Sequence, residues 1–92
     1  VDTEFIDAAD HHRYELRAGG ELVGFIDYRL HGDTIRLIHT EVPPEHGGQG
    51  HAATLARAAL DDARARGLSV RPDCPYVAAY VGKHPEYADL VA

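Results

Sequence analysis

Between Val42 and Ala52 the chain runs Val-Pro-Pro-Glu-His-Gly-Gly-Gln-Gly-His-Ala, with Gly47, Gly48 and Gly50 set around Gln49 just before a helical pattern. Glycine lacks a Cβ, so the main chain here is free to take positive φ and to approach a bulky anion closely. The helix that follows leaves its first N–H groups unpaired and points the positive end of its dipole at the same place. A pyrophosphate suits such an arrangement; for the glycines alone, a turn that only caps the helix is the alternative. No Gly-Lys-Ser/Thr follows, which excludes a Walker loop. The strand before it ends an antiparallel series, which excludes the dinucleotide fingerprint. Two side chains elsewhere invite chemistry. Cys74 precedes Pro75, and proline favours the first helical position, so the cysteine falls at an N-cap. There the helix dipole favours thiolate and the neighbouring Asp73 opposes it; the alternative is a small buried hydrophobe. His39 lies on a strand and carries the side chain whose ordinary pKa best suits a general base near neutral pH. Its alternative is a buried strand histidine bonded to a carbonyl.

The elements that must position these groups are legible in the patterning. The stretch up to His12 is polar and irregular, though Phe5 and Ile6 suit anchors for a short strand. Arg13 to Ala18 reads as a strand, Gly19-Gly20 as a tight hairpin turn, and Glu21 to Leu30 as the return strand. Alternation puts Leu22, Ile26, Tyr28 and Leu30 on one face, with Gly24 a bulge or close-approach site. His31-Gly32-Asp33 turns the chain into a third strand, Thr34 to Val42, with Ile35, Leu37 and His39 on one face. Pro43-Pro44 stops the sheet. A long helix follows over Gly50–Arg66, with the stripe Ala52, Leu55, Ala56, Ala59 and Ala63 inward. Gly67 ends it. Leu68–Arg71 reads as a strand and Pro75–Lys83 as a second helix. The expected class is α/β of the α+β type: a mixed, mainly antiparallel sheet with two helices, in the order β-β-β-α-β-α.

Composition narrows the function. The 92 residues suit one domain, 1–92. A formal charge of −6 argues against nucleic acid and anionic membrane as partners, and leaves a cationic or neutral acceptor compatible. The one cysteine excludes an internal disulfide and a cysteine zinc site, and fits a reducing, cytoplasmic setting. No apolar run approaches the ~20 residues of a membrane span, and Val1 to Asp10 show no signal-peptide pattern. The histidines His11, His12, His31, His46, His51 and His84 form no His-x₃-His helical pair, so solvated imidazoles are expected and no metal. Asp10, Asp61 and Asp62 read as solvated positions. Oligomeric state is not encoded legibly.

The segment Gly47–Ala52 resembles motif A of the GNAT acetyltransferase superfamily, Arg/Gln-x-x-Gly-x-Gly/Ala. The stretches Ile38–Pro43 and Cys74–Tyr80, with His84-Pro85-Glu86-Tyr87, resemble a branch of very small single-domain N-acetyltransferase-like proteins. The resemblance runs from Arg13 to Leu90. It implies acetyl-coenzyme A as cosubstrate. Gly47, Gly48, Gln49, Gly50, His51 and Ala52 would hold its phosphates, flanked by the imidazoles of His46 and His51. Backbone groups of Glu41, Val42 and Pro43 would hold its pantetheine arm where the strand splays from its neighbour. Gly47 replaces the usual Arg or Gln, so one side-chain contact is lost and weaker coenzyme binding is expected. The resemblance also marks His39 and Cys74 as an active-site pair, with His39 as base. Cys74 would either form an acetyl-cysteine or protonate the departing thiolate, a role for which Tyr80 is the other candidate. The implied reaction moves acetyl to an amine of a small molecule or protein. The alternative is a binding module that holds coenzyme A or an acyl-CoA without turnover. The short chain favours the module; the His39/Cys74 pair, which a pure binder does not need, favours the enzyme.

Overall fold

The computed structural model describes residues 2–92; Val1, the first residue of the expected domain and of the segment Val1 to Asp10, lies outside them. The elements are β1 (Thr3–Ala8), β2 (Arg13–Ala18), β3 (Glu21–His31), β4 (Thr34–Glu41), α1 (His51–Ala65), β5 (Ser69–Pro72) and α2 (Pro75–Lys83). Short 3-10 helices cover Ala9–His11, Pro44–His46 and Pro85–Leu90. Strand order in the single sheet is β1-β2-β3-β4-β5, with β4–β5 parallel and the other pairs antiparallel. The expected order therefore gains a strand at its start: β1 pairs along its whole length with β2, Thr3 opposite Ala18 through Ala8 opposite Arg13. Among the described residues no helix is long and apolar enough to cross a membrane.

Both helices pack on one face of the sheet. Leu55, Ala59, Leu60 and Ala63 of α1 and Val77 and Val81 of α2 share a core with Tyr14, Leu16, Ile26, Tyr28, Ile35, Leu37 and Val70. Alanines on α1 keep the helix close to the strands, as its stripe predicts, and Gly67 (φ 69°) follows the helix end. Among the described residues the opposite face of the sheet carries no helix. Two bulges decide which side chains reach it. In β3, Leu16 pairs with Gly24 and Arg17 with Leu22, which leaves Val23 as the extra residue. Val23 is buried and Leu22 only half so, which corrects the expected face of Leu22; Leu30 is exposed but, opposite Ile35, keeps the expected face of Ile26 and Tyr28.

The two aspartates read as solvated act as anchors. Asp62 accepts from the buried Tyr14 hydroxyl at 2.6 Å and Asp61 from Tyr87 at 2.7 Å. Asp62 also pairs with Arg66 (3.1 Å), which reaches Asp7 at 3.5 Å; Asp7 accepts from Tyr28 at 2.5 Å. This network ties the C-terminal end of α1 to β1, β2 and β3. Burial, then the Asp7 bond, pushes the Tyr28 phenol up to about 12. A folded pKa above the ordinary value of about 10 means the contribution is complete below pH 10 and is lost as pH rises through 12. Urea midpoints are expected to fall above pH 10, with Tyr28 alone responsible for about 2 kcal/mol by pH 12. Tyr28→Phe should make that fall shallower; an unchanged slope would remove Tyr28 from the alkaline transition.

Candidate active site

The glycine-rich turn begins where the prolines stop β4. Gly47 is extended (φ −68°, ψ 158°), whereas Gly48 and Gly50 take φ of 77° and 76°, and Gly50 is the N-cap of α1. Among the described residues no side chain caps that helix. Its first main-chain bond runs from the Thr54 N–H to the Gly50 carbonyl at 3.0 Å, so the N–H groups of His51, Ala52 and Ala53 stay available. A Cβ built on Gly48 or Gly50 would meet nothing within 4 Å, so open space lies over the turn. Beside it a cavity of about 370 Å³ is lined by Ala18, Glu21, Val23, His46, Gln49 and His51. The His46 ring, with Nε2 2.7 Å from Glu21, already has an anionic partner. Free amides, positive φ and open space together fit a pyrophosphate group.

A fork opens beside this turn. β4 and β5 pair from Thr34–Ser69 to Leu37–Pro72, and the Cys74 N–H closes the fork with a 2.8 Å bond to the Leu37 carbonyl. Beyond that bond β4 continues to Glu41 paired only with β3. Gly24 lies under this part of β4, where a Cβ would come within 2.9 Å of Leu55 Cδ1 and 3.2 Å of Val42 Cγ2. Its missing side chain lets α1 and the end of β4 close on β3, the close-approach role expected for it.

Cys74 sits at the apex of the fork as the N-cap of α2, 3% exposed. Its sulfur contacts Thr40 Oγ1 at 3.3 Å. Burial pushes the thiol up, but the Thr40 hydroxyl and the N–H groups of Val77, Tyr76 and Thr40 together hold it below its ordinary range. The amides act as dipoles, since no capping hydrogen bond forms from the side chain. Asp73, expected to oppose the thiolate, is bound instead by Arg36 at 2.7 Å and approached by Arg71 at 3.8 Å.

His39 does not share the face of Ile35 and Leu37. Asp27 pairs with His39 and Tyr28 with Leu37, so Ile38 is an extra residue. A one-residue insertion inverts every later side chain. His39 is thereby turned to the helix-free face and Thr40 to the core side, against Cys74. The His39 side chain is 55% exposed, with Nε2 3.2 Å from Glu41 Oε1 and its ring 6.3 Å from that of Phe25. His39 and Cys74 thus stand on opposite sides of β4, with no hydrogen bond between them among the described residues. Tyr80 is six residues past Cys74, about 9 Å along the helix axis. Its ring stacks on His84 at 3.9 Å and lines a cleft of about 190 Å³ with Ala53, Tyr76 and Lys83. Burial raises its phenol. Thr40, Phe25 and Asp27 complete the surroundings. Only knowledge of the bulge would have pointed to them, because strict alternation sends Thr40 outward.

Comparison with known proteins bears on the family and the fold. A family model described as GCN5-related N-acetyl-transferase matches residues 13–90. Protein NATD1 of Xenopus tropicalis is 40% identical over 52 residues, 56% of this chain and 48% of that protein; the mouse protein of the same name is 41% identical over 51 residues. The chain spans about half the length of these curated relatives. The solution structure of a GCN5-like protein from Staphylococcus aureus superposes with a TM-score of 0.73, covering 97% of this chain and 87% of its own at 24% identity. The ribosomal-protein-S18-alanine N-acetyltransferase of Escherichia coli superposes at 0.65, covering 87% of this chain and 51% of its own at 18% identity. These structures share the fold.

Proposed function

Because the chain belongs to the GCN5-related N-acetyltransferase family, we propose that it moves an acetyl group from acetyl-coenzyme A to an amine. The observation that carries this reading is the uncapped start of α1, reached through two positive-φ glycines with open space above them. Gly47 to Ala52 would hold the pyrophosphate, and the main chain of Glu41, Val42 and Pro43, at and just past the end of β4, the pantetheine arm. When bound, the coenzyme supplies the acetyl thioester. From this chain, His39 would accept a proton from the amine on the helix-free face, oriented by Glu41. Cys74 would give a proton to the leaving sulfur from the core side of β4. Nucleophilic catalysis by cysteine uses a base within hydrogen-bond reach, and Cys74 bonds Thr40 while His39 bonds Glu41. That favours the donor role over an acetyl-cysteine. Tyr80, about two helical turns away, ranks behind Cys74 for the same proton. The related ribosomal-protein-alanine enzymes make a protein amine a reasonable acceptor class beside small amines.

Coenzyme A at about 100 times its Kd is expected to stabilise the fold by about 2.7 kcal/mol and so raise Tm by several degrees. A folded protein whose Tm does not move in millimolar coenzyme A would overturn the reading.

A further inference from the structure

The helix-free face of the sheet is polarised. At one end three arginines stand in a row across three adjacent strands: Arg29 opposite Arg36, and Arg36 opposite Arg71. Like charges directly opposite one another on a sheet are destabilising, and this protein carries a formal charge of −6 with only 9 basic residues to place. Among the described residues Asp73 alone serves Arg36 and Arg71, at 2.7 and 3.8 Å, and Arg29 bonds only the carbonyl of Tyr28. Arg36 and Arg71, with His31 and Thr34, line a cavity of about 340 Å³. At the other end of the same face, His39 is flanked by Glu41 at 3.2 Å and by Asp27 directly across the ladder. The extra residue Ile38 is what brings Arg36 and His39 to one face. The ladder sets Arg36 opposite Arg29 and His39 opposite Asp27, two residues apart on β3, so about 7 Å of strand separates them.

We propose that this face binds a zwitterionic acceptor: its anionic group, a phosphate monoester, on the Arg29–Arg36–Arg71 row and its amine about 7 Å away between His39, Asp27 and Glu41. The inference rests on the acetyl-transfer reading for the amine end and on charge complementarity for the other. A phosphate dianion satisfies several guanidinium donors at once and offsets the repulsion along the row. The carboxylates at the far end attract the ammonium form and leave His39 to take its proton.

The test uses 4-aminobutyl phosphate, whose length matches the span, with 4-aminobutan-1-ol, which keeps the amine and lacks the phosphate, as its control. Both are added to protein already saturated with coenzyme A, so that the glycine turn is occupied. The phosphate compound should shift the amide resonances of Arg29, Arg36 and Arg71, and the alcohol should not. With acetyl-coenzyme A, KM for the phosphate compound should lie about 10-fold or more below that for the alcohol. Arg36→Gln/Arg71→Gln should erase that difference. Arg29→Gln, which breaks no ion pair, should reduce it in a protein of unchanged Tm. Equal binding of the two amines, or shifts confined to residues 47–52, overturns the proposal. Binding at the row with no acetylated product supports the row and overturns the transfer reading. Acetylation of both amines at equal kcat/KM does the reverse.

Discussion

Cys74→Ala is expected to lower kcat for acetyl transfer by about 10²- to 10⁴-fold while the coenzyme-induced rise in Tm is unchanged. The side chain lies at the apex of the β4–β5 fork, and its contact to Thr40 keeps the sulfur pointed along the core side of β4. Its lowered pKa makes it a better proton donor than an ordinary thiol. Cys74→Ser places a weaker acid at the same point and should recover part of the rate. His39→Ala should act differently, flattening the pH–rate profile rather than removing the step at the leaving sulfur. Intact-mass measurement after exposure of wild-type protein to acetyl-coenzyme A should show no adduct. An acetyl group on Cys74 would instead make the residue a nucleophile. Full activity in Cys74→Ala would remove it from the chemistry and bring Tyr80 forward.

The second large effect is expected at Gly50. Gly50→Val should weaken coenzyme A binding about 100-fold or more, because the Cβ branches would fill the open space over the turn. A β-branched residue at φ 76° also strains the backbone by about 1–3 kcal/mol, so a lower Tm by itself says little. Gly67→Val supplies the matched control. Gly67 has φ 69° and equally open surroundings, at the other end of α1. It should lose similar stability yet keep the full coenzyme-induced shift. Equal loss of binding in both variants would assign the effect to strain and move the anion site away from the turn.

The parts of the fold legible in the sequence are those where local rules and tertiary packing agree. The Gly19-Gly20 hairpin, with φ of 57° and 85°, the alanine stripe of α1 and the Pro75 start of α2 each follow from one residue type doing what its stereochemistry favours. β1 is legible only as a short strand anchored by Phe5 and Ile6, and is absent from the expected order, because these two are adjacent and face opposite sides, which hides the period of two. Phe5 stacks on Tyr14 at 5.0 Å while Ile6 pairs across from Glu15 on the other face. Asp61 and Asp62 looked solvated because their partners, Tyr87 and Tyr14, are 26 and 48 residues distant in sequence. In the candidate site the glycine turn and the N-cap position of Cys74 were readable, each from its own neighbours. The face of His39 was not, because no residue type marks the Ile38 bulge.

That bulge makes chain length, as much as residue identity, a carrier of meaning in β4. Removing Ile38 would restore plain alternation downstream and exchange the addresses of His39 and Thr40. The imidazole would point at the fork and the hydroxyl at the open face, with every amino acid at the site still present. Homologous strands that differ by one residue between Leu37 and Glu41 would therefore carry the same letters and a different reaction surface. Aligning such sequences by residue identity alone would superpose side chains that point in opposite directions.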